Sequence, residues 1–135
     1  MDISSIIAEV LAAHEEIVTA YIYGSIVKGY ADEASDIDVG LVLRKGFEPD
    51  PLYPARLANE LEKKLNLKHE VDVRVLNGQS TRFVYQVIKE GKVVFCRNEE
   101  ERVEFETSIT KSYLDFKPIY EEYDRIRRQR IIASY

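Results

Sequence analysis

The sequence predicts an α/β sandwich of the α+β kind: a small mixed β-sheet with helices mainly on one face. Three observations lead to it. Segments with helical and strand periodicity alternate along the chain. The strand-like runs are short and rich in Val, Ile and Tyr, as in Ile17 to Tyr23 and Val71 to Leu76. The last quarter, about residues 99–131, reads as one long helix, and no linker or repeat divides residues 1–135 into more than one domain.

Residues 3–14 place Ile3, Ile6, Ile7, Val10 and Leu11 on one helical face, with Asp2, Ser4 and Ser5 available as caps. Residues 17–23 form the first expected strand. Residues 25–30 read as a short helical turn before the polar stretch Asp32 to Ser35, and residues 37–43 as the second strand. The proline-rich stretch Gly46 to Pro54 is a loop. Leu57, Leu61 and Leu65 recur at i, i+4, i+8 within a helix over residues 54–65. Residues 70–76 make the third strand, Asn77-Gly78 a turn, and residues 79–90 a helix built on Phe83, Val84, Val87 and Ile88. Lys92 to Phe95 is a short strand. In the final helix Phe105, Ile109, Tyr113, Phe116, Tyr120 and Tyr123 make one stripe, read as core. Pro118 is expected to kink or split that helix near Lys117.

Composition narrows the function classes. The chain is 45% hydrophobic and 32% charged, as ordinary globular domains are. A net charge of -5 disfavours general nucleic-acid binding. Cys96 is the single cysteine, so no internal disulfide can form and no zinc-ligand pattern exists; it reads as a small apolar residue ending a strand. The start Met-Asp-Ile-Ser-Ser lacks a secretory pattern, and no run reaches the ~20 apolar residues of a membrane span. A cytoplasmic location without membrane contact is the expectation.

The chemistry concentrates in residues 17–76. A strand runs into Gly24-Ser25, and ten residues later Asp36-Ile37-Asp38 opens the next strand. Alternation along a strand puts Asp36 and Asp38 on one side of the sheet. In the third strand Val71, Val73 and Val75 take one face, and Asp72 takes the other, where the first two acids can meet it. Three carboxylates on rigid strands suit hard divalent cations with oxygen ligands, as handling a nucleoside triphosphate requires. Asp36 and Asp38 would bind or bridge the metals. Asp72 would bind the acceptor-side metal and help take the acceptor's proton. Gly24 permits close backbone approach, the Ser25 hydroxyl can donate to phosphate oxygens, and Lys28 can neutralise phosphate charge. Alone, each piece is ordinary: a turn, a solvated strand end, a surface lysine. In this order, each on the right element, they form a specific constellation.

Gly24-Ser25, Asp36-x-Asp38 and the lone Asp72 resemble the nucleotidyltransferase superfamily of polymerase-β type. The small size resembles its minimal nucleotidyltransferase group, the MntA-like antitoxins paired with HEPN-domain toxins. The resemblance implies a magnesium-dependent enzyme, with two ions, that transfers AMP from ATP to a tyrosine of a partner HEPN toxin, a ribonuclease, and so acts as the antitoxin of a type VII pair. It implies Gly24 and Ser25 on the phosphates, and Asp36, Asp38 and Asp72 on magnesium. One departure stands out. Many family members carry arginine directly after Gly-Ser, whereas this chain has Ile26. Two rival readings are a non-catalytic toxin-binding antitoxin and a nucleotidyltransferase acting on a small hydroxylated molecule such as an aminoglycoside. Self-association or a heteromeric complex is compatible with the long helix. His14 reads as a helix-end residue and His69 as a surface loop residue. The arginines from Arg125 to Arg130 read as a solvated basic helix end.

Overall fold

The computed structural model describes residues 2–24 and 36–133. Within them the elements follow the order α1 (Ile3–Ala12), β1 (Ile17–Tyr23), β2 (Ile37–Leu43), α2 (Tyr53–Lys64), β3 (Val71–Val75), α3 (Thr81–Glu90), β4 (Lys92–Cys96) and α4 (Glu99–Ala133). The expected turn over 25–30 and the polar stretch after it lie outside the described residues. Strand order is β3-β2-β1-β4. β1 pairs antiparallel with β2 and with β4, and β2 pairs parallel with β3 across the α2 crossover, so the sheet is mixed as expected.

Strand alternation divides the core in two. Ala20, Ile22, Ile37, Val39, Leu41, Val71 and Val73 face α1 and α2, meeting Ile7, Leu11, Leu57 and Leu61. Val18, Tyr21 and Val42 face the other way, onto Val84 and Val87 of α3 and Phe105 and Ile109 of α4. The carboxylate face therefore also carries helices. Helices α3 and α4 cover it toward the middle of the sheet and leave the end with Asp36 and Asp72 exposed. The buried Thr19 hydroxyl donates to Phe95 O at 2.7 Å, which satisfies the buried polar group on this part of β1.

Local chemistry fixes where the elements start. Asp2 caps α1, its Oδ1 accepting from Ser5 N–H at 2.8 Å. Ser80 caps α3, its Oγ accepting from Phe83 N–H at 3.2 Å, directly after the Asn77-Gly78 turn. The Asn77 side chain accepts from Leu43 N–H at 2.8 Å and donates to Leu43 O at 3.0 Å, tying that turn to the end of β2. The result is a fixed entry for α3, and with it a fixed position for Phe83 over the sheet.

Two expectations about α4 are corrected. Pro118 neither ends nor splits the helix, which runs unbroken through all 35 residues from Glu99 to Ala133. The proline removes one backbone donor, at a cost of about 3 kcal/mol. Contacts with α3 hold the helix on both sides of it. Tyr85 stacks on Tyr113 at 3.9 Å before Pro118, and Arg82 packs over Tyr120 at 5.3 Å and bonds Asp124 after it. The aromatic stripe is also not core along its whole length. Phe105 and Ile109 are half-buried against the sheet, but Phe116, Ile119 and Tyr123 are 50%, 60% and 62% exposed. The base of α4 is held by Glu106, which accepts from the buried Tyr21 hydroxyl at 2.8 Å and from Arg102 at 2.9 Å.

His69 is buried rather than a surface loop residue, packed at the α2–β3 connection just ahead of β3. His14 meets Glu60 through Nε2 at 3.0 Å and Glu16 through Nδ1 at 3.5 Å, linking the end of α1 to α2. Among the described residues no helix is long and apolar enough to cross a membrane.

Candidate active site

The register of the sheet assembles the site. Tyr23 of β1 lies opposite Asp38 of β2, and Asp38 lies beside Asp72 of β3. Directly paired residues share a face, with Cβ atoms roughly 4.5–5.5 Å apart. Tyr23, Asp38 and Asp72 thus form one row across three strands. Asp36, one residue ahead of β2, is exposed at the end of the same face. The next row inward is Tyr21, Gly40 and Arg74. Gly40 has no side chain there, and Leu76 occupies the room. A Cβ on Gly40 would sit only 3.1 Å from the Leu76 methyls.

Gly24 is required by its neighbour as well as by its backbone. Its φ is +85°, in the left-handed region, and a Cβ there would overlap Oδ2 of Asp38. Gly24, at the end of β1, therefore lies directly against the Asp38 carboxylate. Ser25 and Lys28, expected on the phosphate side, lie outside the described residues, as does Ile26.

The electrostatics are those of crowded acids. Burial raises the Asp38 pKa above the usual carboxylate value, and Asp72 and Asp36 raise it further, against the opposing pull of Arg74. Burial, then Asp38, pushes the Tyr23 hydroxyl up to about 12. That hydroxyl is buried and has no hydrogen-bond partner among the described residues. Phe83 of α3 forms the wall, edge-on to Tyr23 at 5.9 Å and under the Arg74 guanidinium at 5.5 Å. Arg74 Nε donates to Asp72 Oδ2 at 3.2 Å.

Tyr23, Arg74 and Phe83 belong to the site and were not picked out from sequence. The signal was present: Tyr23 directly precedes Gly24, and Arg74 follows Asp72 by two, which puts it on the same strand face. Phe83 carried no such signal, since only the fold of α3 onto the sheet brings it there.

The donor set fits a hard cation. It offers oxygen ligands only, one of them, Asp38, in a partly buried setting that disfavours an uncompensated negative charge. The three carboxylates do not close into a preformed metal cluster, and no group of three His, Cys, Asp or Glu among the described residues does so. Asp72 is instead engaged by Arg74.

Residues 6–100, from α1 through β4 and the whole carboxylate row, match the family model described as polymerase beta, nucleotidyltransferase. This chain belongs to that nucleotidyltransferase family. Solved structures agree on the fold. A toxin–antitoxin with AMP-PNP superposes with a TM-score of 0.70 at 23% identity, covering 97% of this chain and 96% of that one. A tri-AMPylated Shewanella oneidensis HEPN toxin in complex with MNT antitoxin gives 0.65 at 21% identity, covering 98% and 94%. A toxin–antitoxin MntA–HepT structure gives 0.64 at 21%, covering 98% and 95%. These likenesses extend over nearly the full length, so the nucleotidyltransferase fold with its long C-terminal helix is shared throughout. No curated protein matches the chain.

Proposed function

We propose that this nucleotidyltransferase transfers AMP from ATP to a tyrosine of a HEPN-type partner toxin and acts as its antitoxin. The observation that carries the reading is the pairing of Asp38 with Asp72 on one sheet face, with Asp36 two residues ahead of Asp38 and Gly24, at φ +85°, against the Asp38 carboxylate. Structural neighbours described as MNT antitoxin with an AMPylated HEPN toxin, and as a toxin–antitoxin with AMP-PNP, support the choice of nucleotide and partner.

Magnesium, held by Asp36, Asp38 and Asp72, would neutralise charge on the phosphates and activate the acceptor hydroxyl. The chain's own residues set the geometry. Gly24 would let the backbone approach the phosphates, and the Ser25 hydroxyl and Lys28 ammonium would be their ligands by sequence position. The acceptor oxygen attacks the α-phosphorus in line, the bond to the bridging β-phosphate oxygen breaks, and pyrophosphate leaves with that electron pair. Asp72, exposed on the edge strand, would take the acceptor's proton. Phe83 and the buried side of Tyr23 close the floor of the site. A protein acceptor, rather than a small molecule, is supported by the exposed Phe116 and Tyr123 of α4, since aromatic residues are enriched at interface centres.

Transfer of label from α-labelled ATP to the partner toxin tests the assignment. Asp36→Asn and Asp38→Asn should each abolish it in folded protein. Full activity in either variant would remove the carboxylates from the mechanism, and label on small hydroxylated acceptors instead of the toxin would replace the acceptor.

A further inference from the structure

We infer that Arg74 is a built-in counter-cation of the carboxylate site: it holds Asp72 while no divalent cation is bound and gives Asp72 up when one arrives. The inference rests on the metal-binding reading of Asp36, Asp38 and Asp72 given above.

The geometry is specific. Arg74 shares a strand face with Asp72, and its Nε bonds Asp72 Oδ2 at 3.2 Å. Its guanidinium lies over the Phe83 ring at 5.5 Å, so the charged plane is seated between a carboxylate and an aromatic face. The pair is also weak enough to open. It is a single hydrogen bond rather than a bidentate fork, and both side chains are about half exposed, 52% for Arg74 and 53% for Asp72. Exposed pairs of this kind contribute little, and water is at hand to solvate a released guanidinium. With Asp72 turned to Arg74, the three acids do not converge on a common point. A dication with oxygen-ligand preference would compete for Asp72 directly, and the positive charge of Arg74 would oppose its entry.

The consequence is that this chain binds divalent cations more weakly than its carboxylates alone would, until Arg74 is displaced. Mn²⁺ serves as the probe, titrated into nucleotide-free protein at low ionic strength and followed by the electron paramagnetic resonance signal of the free ion. Arg74→Gln should bind Mn²⁺ about three- to tenfold more tightly than the wild-type protein. Arg74→Met, which keeps the aliphatic stem on Phe83 and removes the charge, should show the same gain. Arg74→Lys should stay within about twofold of wild type, since the charge is restored. Equal or weaker Mn²⁺ binding in folded Arg74→Gln and Arg74→Met overturns the inference and leaves the metal site standing. No Mn²⁺ binding by wild type or variants overturns the metal-site reading, and the inference with it.

Discussion

Gly24→Ala tests the close approach of Gly24 to Asp38 with a magnitude that the structure sets. Alanine at φ +85° costs about 1–2 kcal/mol in the left-handed region. Its Cβ would also overlap Oδ2 of Asp38. Relief requires the carboxylate to leave its rotamer, at about 0.5–1.5 kcal/mol, or the turn to shift. The sum is about 1.5–3.5 kcal/mol, a fall in Tm of roughly 6–14 °C for a domain of this size. Gly78→Ala is the internal control. Its φ is +82°, but nothing lies within 4 Å of a Cβ there, so it carries the backbone cost alone. Urea denaturation of metal-free protein measures both, with an unchanged m-value confirming comparable unfolding. Gly24→Ala should lose about 1 kcal/mol more than Gly78→Ala. In an Asp38→Ala background that excess should vanish, because the overlapping oxygen is gone. Equal losses at the two glycines, or an excess that survives removal of the Asp38 carboxylate, would refute the close approach of turn and acid.

Two further predictions concern the scaffold. Arg82→Ala removes the contacts to Tyr120 and Asp124 that hold α4 beyond Pro118, so backbone amides past residue 118 should exchange several-fold faster while those of β1 and β2 are unchanged; uniform exchange along α4 would contradict the role given to α3. Glu16 is pushed up by burial but held below its ordinary 4.5 by the Tyr53 hydroxyl at 2.6 Å, with His14 and Arg44 adding to it. A carboxylate with a lowered native pKa stabilises the fold above the unfolded value, and that stability is lost as pH falls through the native one. Glu16→Gln should therefore cost about 1–2 kcal/mol at neutral pH, a difference that shrinks below pH 4.5; a pH-independent loss would show a packing effect instead.

The sequence made the strands readable because each carried its own signal. Ile17 to Tyr23 and Ile37 to Leu43 are β-rich runs bounded by turn residues, and the structure places β1 and β2 at those limits. Leu57, Leu61 and Leu65 fixed the buried face of α2 to within one residue at each end. The carboxylates were legible because strand alternation is strict: Asp72 among Val71, Val73 and Val75 has one face to go to. What sequence could not give was tertiary. Pro118 reads as a break when only local backbone chemistry is weighed, and contacts from α3, remote in sequence, carry the helix through it. His69 stands among polar residues in a connection, yet the packing of that connection ahead of β3 buries it. Phe116 and Tyr123 continue the periodicity of Phe105 and Ile109, but the sheet beneath them ends first, so the same stripe is half-buried at one end and exposed at the other. Phe83 enters the site only through the position of the Ser80 cap.

The proposed activity is AMP transfer through the carboxylate row to a HEPN-type partner. The most direct measurement is the intact mass of that partner after incubation with this chain, ATP and Mg²⁺. The expected result is a gain of one or more AMP units that is absent with Asp38→Asn. An unchanged mass in a partner that still binds tightly and is still silenced would contradict it, and would leave an antitoxin that acts by contact alone.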